Sequence, residues 1–171
     1  MRIAQMRKFD VANGTGIRST LFVSGCHHDC KGCFNKEYQN FKYGEEWTPE
    51  VEEKFLSYVA DENVTGVSFL GGEPFHPVNA GHLARLAFKI KEHYPNKPIW
   101  VWTGYTYEEI LEDGQKSDRM SILLNFIDVL VDGKFMEEQK DLTLKFRGSS
   151  NQRLIDVQQT LKQDEVILYD L

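Results

Sequence analysis

The sequence predicts an α/β fold with mostly parallel strands, formed as a single domain over residues 1–171. Short apolar segments rich in β-branched and aromatic residues alternate with segments whose apolar residues recur at helical spacing. Such an alternation favours parallel strands joined by right-handed crossovers. Four predicted strands also end in a glycine followed by polar residues or cysteines, which indicates ligand binding at the carboxyl ends of the strands.

The composition is typical of a soluble globular protein and argues against nucleic-acid binding and against a membrane span. Hydrophobic residues make up 41% of the chain and aromatic residues 12%. The net charge of −6 argues against a general nucleic-acid binder, which needs a basic face. No apolar run approaches the length of a membrane span, and the first residues lack the apolar core of a secretion signal. We therefore expect a cytoplasmic protein that binds neither nucleic acid nor membrane.

The first part of the chain predicts two strands separated by a loop. Residues 2–8 mix apolar and charged positions, as an edge strand does, and residues 10–16 contain the glycines and asparagine of a loop. Residues 20–24 are β-branched and aromatic, which predicts a buried strand that ends at Gly25. The cysteines of the chain begin directly after this strand.

The middle of the chain predicts a helix, a strand and a second helix. Thr48 can cap a helix whose first position is Pro49, and the glutamates that follow suit its positive end. Residues 67–70 predict a second buried strand, which ends at the Gly-Gly-Glu-Pro segment of residues 71–74. Apolar residues then recur at helical spacing over residues 77–94.

The following residues continue the alternation of strands and helices. Residues 98–103 predict a third strand, which ends at Gly104. A capping box at residues 106–109 predicts the start of a short helix. A further helix at residues 118–126 is followed by a fourth strand at residues 127–131. The carboxyl ends of these strands are expected to meet at one edge of the sheet.

The three cysteines of the chain are the main functional signal. Cys26, Cys30 and Cys33 have the spacing C-x3-C-x2-C, so all of them fall within eight residues. Clustered thiols in a reducing compartment, with an odd count, are typical of metal ligands and not of disulfides. A structural zinc or a closed iron–sulfur cluster usually takes four protein ligands. Three thiolates on a four-iron cluster would leave one iron free to bind a substrate.

A zinc knuckle is the alternative interpretation of the same cysteines. Its fourth ligand would be a histidine, for which the candidates are His27, His28 and the more distant His82. The two interpretations differ in metal content, since a cluster contains iron with inorganic sulfide and a knuckle contains zinc without it. On the cluster interpretation, His27 and His28 are predicted to be solvated loop residues or to tune the cluster potential.

Four parts of the sequence resemble a known family. They resemble the radical S-adenosylmethionine (SAM) enzymes, and among these the activating proteins of anaerobic ribonucleoside-triphosphate reductase. Many members of the superfamily place an aromatic residue before the third cysteine, whereas here Gly32 precedes it and Phe34 follows it, as in the reductase-activating subgroup. The resemblance is carried by residues 20–26, residues 71–74, residues 100–105 with residues 129–135, and residues 147–153.

The resemblance implies an incomplete TIM-like barrel of the radical SAM type, and the chain is too short for a full eight-unit barrel. It implies that Cys26, Cys30 and Cys33 hold a 4Fe-4S cluster, the catalytic centre, and that SAM binds the fourth iron. The residues implied in SAM binding are Gly32, Cys33 and Phe34 near the adenine, Gly71, Gly72 and Glu73 at the amino group, and Thr103 with Gly104 near the methionine or ribose. Because the amino group would be held by backbone oxygen, Gly72→Val is expected to block SAM and to leave the cluster intact.

The resemblance also implies the partners and the reaction. The substrate would be a glycine on the large subunit of anaerobic ribonucleoside-triphosphate reductase, which is converted to a glycyl radical. The one-electron donor expected for the family is flavodoxin. The alternative is an activase of another glycyl-radical enzyme, such as pyruvate formate-lyase. Residues 147–153 are rich in hydrogen-bonding groups and are predicted to dock the partner or to contact SAM.

We expect Cys26→Ala, Cys30→Ala and Cys33→Ala each to abolish SAM cleavage, because the chain has no other cysteine to replace a lost ligand. Each variant is reconstituted with iron and sulfide without oxygen, and 5′-deoxyadenosine is measured. Normal turnover in any one of the three variants would rule out three cysteine ligands.

Overall fold

A seven-stranded sheet forms the centre of the protein in the computed structural model, which describes residues 1–171. The spatial order of the strands is β3-β1-β2-β4-β5-β6-β7. Strands β2, β4, β5 and β6 lie side by side and run parallel to one another. Strands β1, β3 and β7 pair antiparallel with their neighbours. The prediction of an α/β class with mostly parallel strands is therefore confirmed for the middle of the sheet. The strands are β1 (Arg2–Asp10), β2 (Arg18–Val23), β3 (Glu45–Glu46), β4 (Gly66–Gly71), β5 (Ile99–Trp102), β6 (Val129–Asp132) and β7 (Arg153–Asp156).

Five α-helices contribute to one apolar core together with alternate residues of the strands. Side chains of a strand point alternately to its two faces, so the remaining strand residues face away from this core. None of the helices is both long enough and apolar enough to cross a membrane. The helices are α1 (Pro49–Val59), α2 (Pro77–His93), α3 (Tyr107–Gly114), α4 (Asp118–Phe126) and α5 (Val157–Gln163).

The helix starts follow the predicted capping chemistry. The Thr48 hydroxyl accepts a hydrogen bond from the Val51 N–H at 3.3 Å, and Pro49 occupies the first position of α1. Thr106 and Glu109 form both hydrogen bonds of the capping box at the start of α3. These caps satisfy backbone N–H groups that have no partner within the helix.

The outer parts of the sheet were not predicted correctly. Strands β3 and β7 and helix α5 are not among the elements that the sequence predicts. Strand β7 has four residues and pairs antiparallel with β6, and the end of the chain pairs with β7 in turn through a bridge between Ile155 and Leu168. At the edge of the sheet opposite β7, β3 pairs only with Arg2 and Ile3. Most of β1 is therefore an edge strand, as predicted.

An ion-pair network joins β7 to β6. The Arg153 guanidinium donates to both carboxylate oxygens of Asp132, at 3.0 and 2.5 Å, and Asp132 is 1% exposed. Asp132 also accepts the Tyr107 N–H at 2.8 Å, which connects the start of α3. On its exposed side Arg153 binds Glu108, and this hydrogen bond lowers the pKa of the Glu108 carboxyl. Arg153, predicted to belong to a docking loop, therefore holds the last strand in place.

We expect Arg153→Ala to lower the free energy of unfolding by about 1–3 kcal/mol, because it leaves the buried Asp132 carboxylate without its main partner. Glu108→Ala is the matched control, since it removes only the exposed half of the network and is expected to cost about 1 kcal/mol or less. Urea denaturation of both variants measures the difference. Equal losses would show that the burial of Asp132 does not determine the effect.

Candidate metal centre

A cavity of about 540 Å³ lies where the carboxyl ends of the parallel strands meet. Its volume is within the range of about 300–1,000 Å³ that small-molecule sites have. The cavity brings together most of the predicted site residues, although they come from distant parts of the sequence: Cys26, Cys30, Cys33, Phe34, Gly71, Gly72, Glu73, Thr103 and Gly104.

Gly32 is the one predicted site residue that does not line this cavity. Its φ of +73° is a conformation that glycine adopts readily, and a Cβ there would lie 3.1 Å from the Glu137 carboxylate. Gly32 thus lies on the cysteine loop outside the lining of the cavity, and its expected backbone contact with adenine stays a prediction. The cysteine loop is defined here as residues 26–33.

The three cysteines are free thiols, partly exposed, and all of them line the cavity. No three His, Cys, Asp or Glu side chains of the chain lie close enough together to hold one metal ion. A zinc site would need its ligands at about 2.0–2.3 Å from one point. A cluster binds each thiolate through a different iron, so its ligands surround a larger object. Three thiols that line one cavity are the soft donor set that an iron–sulfur cluster takes.

Burial disfavours the thiolate form of two of these thiols. It raises the pKa of Cys26 to about 12, although the backbone N–H of His28 acts in the opposite direction. Burial also raises the pKa of Cys30, against a hydrogen bond from the Phe135 backbone. Both thiols are therefore protonated at neutral pH when no cation is bound, and binding of a metal has to release their protons.

Backbone hydrogen bonds hold the start of the cysteine loop to residues 38 and 39, and a further one closes a turn within the loop. The Gly25 N–H donates to the Tyr38 carbonyl at 2.8 Å, and the Cys26 N–H to the Gln39 carbonyl at 3.0 Å. Gly25 has a φ of +100°, and the Phe41 ring occupies the space that a Cβ would need. The Cys33 N–H closes the turn within the loop by donating to the Cys30 carbonyl at 3.2 Å.

The Glu73 carboxylate is fully buried and joins three parts of the site. One oxygen accepts from the Phe75 N–H and the Thr103 hydroxyl, each at 2.8 Å. The other oxygen accepts from the Gly104 N–H at 2.7 Å and lies 2.6 Å from His28 Nε2. The side chains of Glu73 and Thr103 line the cavity but are already engaged within the chain.

Gly71 and Gly72 are required by the packing of the backbone itself. A Cβ at Gly72 would lie 2.5 Å from the Gly25 carbonyl oxygen, and a Cβ at Gly71 would lie 2.6 Å from the Val23 carbonyl oxygen. The expectation that Gly72→Val would leave the cluster intact is wrong, because the new side chain would displace the residue next to Cys26. No backbone N–H of the chain donates to the Gly72 carbonyl, so its oxygen is free to accept from a ligand.

Residues 133–152 form the far wall of the cavity. The Gln152 side chain accepts from the Gly148 and Ser149 N–H groups at 2.9 and 3.1 Å and donates to the Gly133 carbonyl at 3.0 Å. Asn151 donates to the Lys134 carbonyl at 2.7 Å. The hydrogen-bonding groups predicted for docking are thus largely used to fold this wall. From the predicted docking loop, Arg147, Gly148 and Gln152 line the cavity.

Several residues of the site were not identified from the sequence. The His28 side chain, predicted to be solvated or to tune a cluster, is only 4% exposed. Phe22, Leu70 and Trp102 line the cavity from the strand positions that face away from the helices. Alternation along the predicted strands would have identified these three, whereas no local pattern distinguishes His28 from the neighbouring His27, which is exposed.

Residues 12–155 match the protein family described as a 4Fe-4S single cluster domain. This match covers the whole cavity apart from Arg7, including the three cysteines and both glycine-bearing strand ends. It supports an iron–sulfur cluster over a zinc knuckle.

Curated relatives are similar over most of the chain. A protein of Vibrio cholerae is 46% identical over 154 residues, which are 89% of this chain and 96% of the relative. A protein of Escherichia coli K12 is 40% identical with the same coverage, and one of phage T4 is 36% identical over 85% of this chain and 87% of its own. All three are named anaerobic ribonucleoside-triphosphate reductase-activating protein. The resemblance seen in the sequence is confirmed, and the chain belongs to the family of anaerobic ribonucleoside-triphosphate reductase-activating proteins.

Proposed function

We propose that the chain cleaves SAM reductively at a 4Fe-4S cluster and generates a glycyl radical on anaerobic ribonucleoside-triphosphate reductase. One observation carries the proposal: the three free thiols line the same cavity as the glycine-bearing ends of β4 and β5. The names of the relatives support the reductase as the target over pyruvate formate-lyase or another glycyl-radical enzyme.

Cys26, Cys30 and Cys33 are the proposed ligands of three irons. The chain has no fourth cysteine, so one iron would be left for the amino and carboxylate groups of SAM. When bound, the cluster would supply one electron to the sulfonium of SAM and so break its bond to the adenosyl C5′. The proposed electron donor is flavodoxin.

Some residues of the proposed SAM site are free to contact SAM, and others are engaged within the chain. The free Gly72 carbonyl is an acceptor for the amino group of SAM, because no N–H of the chain uses it. Phe34 is 59% exposed and lies 4.9 Å from the Phe135 ring, so it is available beside the adenine. The side chains of Glu73 and Thr103 are bound to each other at 2.8 Å, so we assign them to positioning the site and not to holding SAM.

The inner surface of the cavity restricts what the adenosyl radical can reach. Phe22, Leu70, Trp102 and Phe146 give it an apolar floor, and the Trp102 N–H is engaged by the Phe146 carbonyl at 2.7 Å. Such a surface keeps water away from the reacting atoms. The side chains therefore favour reaction with a segment that enters from outside.

We infer that the sheet forms an incomplete TIM-like barrel around this cavity. The inference is supported by the five helices that share one core and by the cavity at the carboxyl ends of the parallel strands. An incomplete barrel has an open side through which a protein segment can enter. A glycine in that segment has no side chain to hinder the approach of its α-hydrogen.

The proposed reaction balances without a further reactant. One electron and SAM give methionine and a 5′-deoxyadenosyl radical. This radical takes one hydrogen atom from the glycine Cα and becomes 5′-deoxyadenosine, which leaves the unpaired electron on the glycine. No general base is required.

We expect a doublet in the electron paramagnetic resonance spectrum when the loaded protein, the reductase, SAM and a one-electron reductant are mixed without oxygen. The splitting comes from the remaining α-hydrogen and should collapse when the reductase contains α-deuterated glycine. Cys30→Ala is the control and should give no signal. Formation of 5′-deoxyadenosine without a doublet would mean that the reductase is not the target.

A further inference from the structure

We infer that His28 and Glu73 act as positioning residues that fix the cysteine loop to the ends of β4 and β5. This His28–Glu73 anchor would keep the metal ligands at one distance from the strand ends where SAM is proposed to bind. Its consequence for SAM rests on the proposed function, whereas the anchoring of the loop does not.

Beyond its start, the cysteine loop has only one buried side-chain attachment. His28 Nε2 lies 2.6 Å from the Glu73 carboxylate, and the two side chains are 4% and 1% exposed. The other contacts of this part of the loop lie at the surface, such as the pair of Lys31 and Glu137 at 3.7 Å with Lys31 91% exposed. Exposed pairs of this kind contribute little to stability.

The His28 ring is also fitted to its place by shape. A Cβ at Gly104 would lie 2.5 Å from the ring, so only glycine leaves the ring room at that position. The Tyr105 ring packs on its edge at a centroid distance of 4.8 Å. The end of β5 thus forms a seat for this one side chain of the loop.

The hydrogen bonds at Glu73 require a group that only accepts. The Phe75 and Gly104 backbone N–H groups can only donate, and they bind different oxygens of the carboxylate. An ionised carboxylate can only accept, so the contact of 2.6 Å with His28 requires a proton on Nε2.

The anchor also restrains the backbone between two proposed metal ligands. His28 lies two residues after Cys26 and two residues before Cys30, so its contact with Glu73 restricts the positions of both thiols. A loop released from Glu73 would hold these thiols less firmly against the cavity.

The test compares two substitutions of His28 that are similar in size, of which only one keeps an N–H donor. His28→Gln keeps an N–H donor near the position of Nε2, and His28→Leu removes it. Asp29→Asn is the control on the same loop, because its pair with Lys36 is exposed and asparagine tolerates its φ of +49°. Thiol alkylation of the three cysteines is followed in the metal-free protein, and circular dichroism verifies that each variant is folded.

We expect His28→Leu to accelerate alkylation by about tenfold, as the loss of a buried hydrogen bond implies. After reconstitution, the same variant should show a higher KM for SAM. His28→Gln and Asp29→Asn should stay close to the parent protein in both measurements.

Two results would overturn the inference. Parent-like alkylation in His28→Leu would mean that the loop does not depend on the anchor. An equal effect in His28→Gln would mean that ring packing, and not the hydrogen bond to Glu73, holds the loop. Faster alkylation in His28→Leu together with no SAM cleavage by the parent protein would support the anchor and reject the proposed function.

Discussion

The rest of the site depends on the hydrogen bonds made by the buried Glu73 carboxylate. Burial of a charge in an apolar interior is strongly unfavourable unless hydrogen bonds compensate it. Here the compensating donors come from the cysteine loop, the turn after β4 and the end of β5. The same group that needs these donors therefore defines where three separate segments meet. The close approach of Gly72 to the Gly25 carbonyl is possible because Gly72 has no side chain.

The regular elements were well predicted where the signal is local. Helix α4 spans Asp118–Phe126 as predicted, and α3 begins at the predicted capping box. Strand β7 was missed because it has four residues and follows a polar loop. Its position depends on pairing with β6 and on Arg153 reaching Asp132, 21 residues away. Local patterns contain no information on such pairing.

The candidate site was predicted in outline by one rule, that ligands bind at the carboxyl ends of parallel strands. This rule brought the cysteines together with Gly72 and Thr103, as the cavity does. The division of roles within the site was not predictable. His28 and Glu73 are 45 residues apart, and only the folded chain shows that they bind each other. Gly32 has the expected motif position and a positive φ that turns the loop there, but it lies outside the lining of the cavity.

The far wall of the cavity has a consequence for the synthesis of the protein. The cysteines belong to the first 33 residues, but Phe135, Phe146 and Arg147 complete the cavity around them. That wall is held through Gln152 and through the pairing of β7, which lies near the end of the chain. The cysteines therefore leave the ribosome before the residues that enclose them have been synthesised. Insertion of a cluster into a finished cavity has to follow translation of the last strand, so the growing chain carries reactive thiols that nothing yet covers.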